Sequence, residues 1–424
     1  MQDKSIVILG NGGAALYGAQ AVRDAGHRGE LHLISDTAEC AFNPMLSPYY
    51  FKGKVSWENC FPFGADFYRD LEIVPHCGVA VATLEAARQQ VTLIDGQLIP
   101  YDRCLIATGA SPIMPPVPGL RESSRALPLR SAGSARQLEE AMNTARRVLI
   151  MGASLVGIEM AEVLVKRGIE VILLDVADQI LPRGTHPSVA AILMKYIEDQ
   201  GVDVRLGTGM KKMEETPDRV ACHFADDVIE EVDLVVCSTG VRSNLDFIDR
   251  DEVDVDLGIL TDERMQTSVE NLYAAGDVSQ AFNRITGQHD WLGTWGNACL
   301  QGRIAGQQIA GREAYFPGSL PENISPLFEW NFAQIGDIQP TSGEVRHLTS
   351  GDPEQGGYSL LVFSDGILTG ANLINCTHIS GMIHGAILRK WRSESLAESA
   401  SGELTEAAVE EILRECTNER LTQG

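Results

Sequence analysis

Residues 5–36 read SIVILGNGGAALYGAQAVRDAGHRGELHLISD. A short apolar run, SIVIL, breaks at Gly10-Asn11-Gly12-Gly13-Ala14-Ala15. The residues that follow carry apolar side chains at helical spacing, and a second apolar run, ELHLIS, ends at Asp36. Strand, glycine turn, helix, strand is the βαβ unit of a dinucleotide-binding fold. Gly10, Gly12 and Ala15 stand at the GxGxxG/A positions. Glycine is needed at the first for the tight turn, and at the second so that backbone amides can approach a pyrophosphate at the helix N-terminus. Asp36, about 20 residues past the turn, is placed to accept hydrogen bonds from a ribose. The alternative is a purely structural glycine turn; the preceding strand, the following helix and the acid at the right distance favour the dinucleotide.

The same order returns at VLIMGASLVGIEMAEVLVKRGIEVILLD, residues 148–175. Gly152 and Gly157 keep their places, with Leu155 and Val156 between, but Ser154 stands at the middle glycine position. Serine is small enough to let a pyrophosphate approach, although its Cβ restricts the backbone. Asp175 closes the second strand and is followed by Val176 rather than Arg. An acid there accepts from a ribose 2′-hydroxyl and repels a 2′-phosphate, so NAD is expected over NADP; the alternative is an acid that merely ends a strand. Two dinucleotide sites in one chain imply a flavin, FAD, exchanging electrons with a nicotinamide, because two nicotinamides have no reason to meet.

At 424 residues the chain is too long for one core. Between the two units, QVTLIDGQLIPYDRCLIATGASP reads as a hairpin and then a buried strand ending in Ala107-Thr108-Gly109, and the prolines from Pro112 to Pro118 mark a crossover. DLVVCSTGVRSN repeats the strand-then-TG pattern, where the chain could return to its first domain. ENLYAAGDV, a buried strand ending in Gly276-Asp277, and the helix-like NACLQGRIAGQQIAG support that return. From about residue 319 the pattern is α+β: two strands joined at Ser364-Asp365-Gly366, then the helix-like SGMIHGAILRKW, a polar stretch and a final helix, LTEAAVEEILREC. The expected fold class is α/β, with two Rossmann-like dinucleotide-binding domains, for FAD and NAD, plus a C-terminal α+β domain. The expected boundaries are 1–112 with 244–318 for FAD, 113–243 for NAD, 319–393 for a C-terminal interface domain, and 394–424 for a linker and terminal helix.

The formal net charge of −24 disfavours nucleic acid and anionic membrane surfaces as partners. No apolar run approaches the roughly 20 residues that span a bilayer, and the N-terminus lacks a leader pattern, so a cytoplasmic protein is expected. The nine cysteines are scattered without a CxxC pair, which disfavours a local redox disulfide, a four-cysteine zinc site and a ferredoxin-type cluster. Most are expected to be buried small hydrophobes. No HExxH, Walker-type loop, nucleophile elbow or close histidine pair appears, no metal is expected, and His378 and His384 read as solvated or capping residues.

The two glycine turns, the ATG at 107–109, TGVRSN at 239–244, YAAGDV at 273–278 and WGNACLQGR at 295–303 together resemble the pyridine nucleotide-disulfide oxidoreductase superfamily. The resemblance implies that Gly10, Gly12, Gly13, Ala14, Ala15, Asp36, Asn43, Pro44, Ala107, Thr108, Gly109, Gly276 and Trp295 serve the flavin. Asp277 would meet its ribityl or pyrophosphate region, and Val81 its adenine. For NAD it implies Gly152, Ser154, Leu155, Val156, Gly157 and Asp175, with Gly240 and Val241 lining the carboxamide. Glu159 would sit near the nicotinamide and flavin as the candidate catalytic residue; alternatively it is a first-turn acid favouring the helix dipole.

The segment AFNPMLSPYY, residues 41–50, places Met45 where family members with a redox cysteine carry it. A thioether forms no thiolate, so disulfide reduction is disfavoured. The segment is more similar to the PxLSK of rubredoxin, ferredoxin and nitrite reductase flavoproteins, with Pro48 where many of those have Lys. Together with SWENCFPFGADFY, residues 56–68, it also resembles the flavoprotein subunits of the iron-sulfur 2-oxoacid oxidoreductases, the NADH-forming phenylglyoxylate dehydrogenases among them. That resemblance implies an iron-sulfur or rubredoxin-like partner, in a hetero-oligomer or through a C-terminal homodimer, with hydride passing between the nicotinamide C4 and the flavin N5. The alternatives are a stand-alone NADH oxidase or reductase and a non-catalytic protein keeping FAD as a structural element.

Overall fold

The structure, a computed structural model, describes residues 4–225 and 227–392. The chain divides into two compact units: Met1–Ile113, Leu129–Gln137 and Gly240–Ser319 form the first, and Met114–Pro128, Leu138–Thr239 and Leu320–Gly424 the second. The expected terminal helix over 404–416 lies outside the described residues.

In the first unit, SIVIL supplies β1 (Ile6–Leu9), all four residues of which are buried; it leads into α1 (Gly13–Asp24) and then β2 (Leu31–Ser35). Strands covered on both faces read as unbroken apolar runs, and they pair here in parallel. The sheet order is Leu272–Ala274, Arg103–Ile106, β1, β2 and β3 (Val74–Cys77). ENLYAAGDV thus returns from far downstream to lie beside the strand that ends in ATG. Leu31 and Leu33 belong to the core on one face, Ile34 and Val7 to the core on the other. The hairpin forms from Gln90–Leu93 and Leu98–Pro100, with Val81–Glu85 adding a third strand.

The second unit holds a parallel sheet in the order Val202–Arg205, Glu170–Leu174, Arg147–Met151, Leu234–Cys237, Ala126–Pro128. Its second component is a five-stranded antiparallel sheet: Glu322–Leu327, Trp330–Gly336, Ile367–Ile374, Gly357–Ser364, Val345–Asp352. The hairpin read from sequence is its Gly357–Ser364 and Ile367–Ile374 pair. Asp365 and Gly366 turn it with φ of 50° and 76°, the left-handed geometry that matches strand twist. The other three strands were not distinguished in sequence. The helix Ser380–Leu388 follows.

The C-terminal part clusters with the second unit instead of standing alone. The rings of Tyr196 and Trp330 stack with centroids 3.8 Å apart. Asn372, wholly buried, donates to the Gly184 carbonyl at 2.9 Å and accepts from the His186 amide at 2.8 Å. Leu129–Gln137, inside the stretch expected to be the NAD domain, belongs to the first unit.

Burial of the cysteines is less complete than expected. Cys60, Cys104, Cys222 and Cys237 are buried, Cys40, Cys299 and Cys376 are half-buried and Cys77 is exposed at the end of the edge strand β3. Histidines distant in sequence do meet: His32 Nδ1 lies 3.1 Å from His76 Nε2, and the rings of His186 and His347 are 4.5 Å apart. Among the described residues no group of three or more His, Cys, Asp or Glu could hold a metal ion. His384 bonds Glu322 at 2.9 Å. No described helix is long and apolar enough to cross a membrane.

Candidate functional site

Gly10 adopts φ +111°, and a Cβ there would lie 2.1 Å from the Ala107 carbonyl oxygen, because the turn runs against the end of the ATG strand. Only glycine fits both demands. Gly12 is the N-cap of α1, with extended backbone and no side-chain cap. A Cβ on Gly12 would meet nothing within 4 Å. The N-terminus of α1 therefore carries no side-chain cap and borders open space at Gly12, with the positive end of the helix dipole there.

That space is part of a cleft of about 790 Å³ within the first unit, a size suited to a bound small molecule. Gly10 and Gly12 line it from the turn, Gly13 and Ala14 from the start of α1, Asp36 and Pro44 from the segment after β2, and Val81 from the start of its strand. Ala107, Thr108 and Gly109 line it from the ATG strand, and Gly276, Asp277 and Trp295 from the downstream return. Two expected residues do not reach it. Ala15 is wholly buried within α1, and Asn43 caps the short turn Pro44–Leu46, accepting from the Met45 amide at 3.1 Å.

The two TG motifs meet. Asn244 donates its side-chain amide to the Thr108 carbonyl at 2.8 Å and its backbone amide to Gly109 O at 3.0 Å, and Val241–Ser243 pairs antiparallel with Ala110–Pro112. Gly240 and Val241 accordingly fall in the first unit.

Sequence reading missed Arg130. Its guanidinium pairs with the Asp277 carboxylate, and with Ser131, Ala132 and Gly133 it lines the cleft at the start of the helix Ala132–Met142. This ion pair ties Leu129–Gln137 to the first unit. One local signal was available: Ser131 Oγ accepts from Ser134 N at 3.1 Å, while Ser134 Oγ accepts from Ser131 N at 3.0 Å, a reciprocal cap marking a helix start.

Met45 lines the cleft and is 42% exposed, and Pro48 is buried in the short helix Ser47–Phe51. Of the thiols nearby, Cys40 lines the cleft from the loop after Asp36, and burial pushes Cys299, behind Gly13, up to about 11. No disulfide forms among the described residues.

The second turn is built differently. Gly152 has φ +106°, and a Cβ there would lie 2.4 Å from the Ser238 carbonyl oxygen. Ser154 is the N-cap of the helix Leu155–Lys166 with φ −77° and ψ 172°, extended backbone open to any residue, so its Cβ does not restrict the turn as expected. Its hydroxyl accepts from Gly157 N at 3.4 Å and donates to Ser238 O at 3.2 Å. Both carboxylate oxygens of Asp175 are engaged, Oδ2 by Ala153 N at 2.7 Å and Oδ1 by Ala177 N at 2.9 Å. The acid thus fastens the turn to its own strand, while a carboxylate retains further lone pairs for an incoming hydroxyl. Leu155 and Val156 are half-buried, and Val176 beside Asp175 is 77% exposed. Glu159 is buried at 6% exposure in the second turn of the helix, which removes the dipole-capping alternative.

Residues 4–302 match the family described as pyridine nucleotide-disulphide oxidoreductase. Subunit epsilon of an NADH-dependent phenylglyoxylate dehydrogenase from Aromatoleum evansii is 31% identical over 395 residues, covering 92% of this chain and 93% of the relative. An NADH oxidase of Methanocaldococcus jannaschii is 28% identical over 419 residues, covering 92% of each. Among solved structures, the putidaredoxin reductase of a covalent complex with putidaredoxin superposes with a TM-score of 0.85 at 26% identity, covering 93% of this chain and 97% of that one.

Proposed function

The chain belongs to the pyridine nucleotide-disulphide oxidoreductase family and is an FAD- and NAD(H)-using oxidoreductase, and from that premise we propose that it exchanges electrons between NAD(H) and a separate iron-sulfur or rubredoxin-like protein. In this reading it is the cytoplasmic flavoprotein subunit of a larger complex, such as a 2-oxoacid dehydrogenase of the phenylglyoxylate type that reduces NAD+. The observation that carries the reading is Met45, exposed in the first cleft where a redox thiol would be needed for disulfide chemistry. The likenesses to a dehydrogenase subunit and a redoxin reductase support it.

The residues present fit the two dinucleotides. The open N-terminus of α1 and the Arg130 guanidinium offset a diphosphate's charge, Asp36 accepts from the ribose and Val81 touches the adenine. In the second unit the amides behind Ser154 hold the diphosphate of NAD and Asp175 accepts from the 2′-hydroxyl, which disfavours NADP. Glu159, Gly240 and Val241 are assigned to the nicotinamide by family resemblance. FAD and NAD supply the hydride chemistry when bound, and the chain supplies orientation and electrostatics.

The test is purification from the native host followed by an iron count. An iron-rich assembly retaining this chain is the expected result; an iron-free homodimer that reduces disulfides as fast as dyes overturns the reading. The Methanocaldococcus relative favours a second reading, a stand-alone NADH oxidase, whose mark would be rapid oxygen consumption by the isolated chain.

A further inference from the structure

The segment SWENCFPFGADFY, residues 56–68, belongs to neither glycine turn, yet it holds the loop that walls the first cleft. The Cys60 carbonyl accepts from Asn43 N at 2.8 Å. The rings of Trp57 and Phe61 pack on Phe42, a cleft-lining residue, with centroids 5.7 and 5.5 Å away. The Tyr68 hydroxyl donates to Asn11 Oδ1 at 2.7 Å and accepts from Ala41 N at 3.1 Å. Asn11 in turn donates its side-chain amide to the Glu39 carbonyl at 2.9 Å. One phenol therefore joins the glycine turn to the loop 39–45. Burial pushes its ionisation up to about 12, so it stays a donor across the neutral range.

We propose that Tyr68 is the positioning residue of the first dinucleotide site, locking the Asn11 side chain and the cleft wall together so that the turn offers its backbone amides to the diphosphate. The inference rests on the reading that this cleft takes FAD. Asn in a turn is prone to bond nearby backbone groups with its own side chain, in competition with the geometry a ligand needs. Here both ends of that amide are occupied, by Tyr68 and Glu39, before any ligand arrives. A wall fixed in advance spares the ligand the cost of ordering it.

The experiment measures FAD affinity of the full-length, FAD-depleted chain for Tyr68→Phe, Asn11→Ala and the double variant, with the KM for NADH and the unfolding temperature of the FAD-free protein alongside. Tyr68→Phe keeps the ring and removes only the hydroxyl. Each single variant is expected to weaken FAD binding about tenfold, and the double variant well short of the roughly hundredfold of independent groups, because the two share the Tyr68–Asn11 bond. The KM for NADH should not move. Weakening of about a hundredfold in the double variant, or unaltered FAD affinity in the single ones, overturns the proposal. Should Tyr68→Phe not fold, Asn11→Ala decides alone: unchanged affinity sinks the inference. A wild-type chain that takes up no FAD would defeat the proposed function and the inference with it, whereas tight binding untouched by either substitution defeats the inference only.

Discussion

The two glycine turns share a sequence pattern and differ in what satisfies them. At the first, Gly12 leaves the helix end without a side-chain cap and has nothing beside it within 4 Å, and Asp36, exposed just past its strand, lines the cleft. At the second, Ser154 caps the helix with its own hydroxyl and Asp175 accepts from two backbone amides of the chain itself. Helix ends and buried polar groups demand partners. A turn left open is one completed by a resident ligand, and a turn that completes itself stays ordered while its ligand comes and goes. Under the proposed function the first describes a retained flavin and the second an exchanging nicotinamide.

The largest effects come from the obligatory glycines. Gly10→Ala and Gly152→Ala each drive a Cβ into a backbone carbonyl at positive φ, and each should destabilise its own unit by about 3 kcal/mol or more. Absorbance and thermal unfolding should show the first variant colourless or insoluble. The second should remain yellow but unresponsive to NADH; the reverse assignment breaks the comparison. Gly12→Asp is next: the site is extended and roomy, so the FAD-free protein should unfold within about 0.5 kcal/mol of wild type. Titration should nonetheless show FAD affinity at least about a hundredfold weaker, from the charge set against the diphosphate.

Asp175→Ala removes the acceptor of two amides and should cost about 2 kcal/mol in denaturant unfolding. In steady-state kinetics the preference for NADH over NADPH should shrink about tenfold; an undiminished preference would reduce Asp175 to a strand terminator. The smallest effect is one in which the units should behave alike. His76 in the first is held below the ordinary imidazole value by burial and then by His32, and His186 in the second by burial and then by His347. The unfolded chain takes up these protons near pH 6.5 and the folded chain only below it, so the stability they lend is complete above about 6.5 and is lost as pH falls. His186 Nδ1 also caps a helix by accepting from Ser188 N, a role only the neutral ring can fill. His186→Asn should keep the cap and flatten the fall in unfolding temperature between about pH 7 and 5; an unchanged slope would remove His186 from the account.

Both βαβ units, the return of the chain at the Thr239-Gly240 turn and the last hairpin were legible because each is written in local pattern: unbroken apolar runs, glycine turns and a short turn signal. What stayed hidden depends on groups brought together from afar. Arg130 reaches Asp277 over a separation of 147 positions, most of them in the second unit's sequence, and the one local sign, the helix start beside Arg130, does not announce its partner. The engagement of Asp175 by Ala153 likewise follows from parallel strands delivering a strand end to the neighbouring turn. Ser154 was found but misjudged, since its restriction was argued from the missing glycine and not from the N-cap position, where serine is favoured.

The most direct test of a resident flavin in one unit and a passing nicotinamide in the other is anaerobic titration of the gel-filtered chain, following flavin absorbance. The account predicts about one FAD per chain surviving filtration and losing its colour on NADH, with NADPH far less effective. A protein that emerges colourless and cannot be reconstituted, or one bleached equally by both nucleotides, would contradict it.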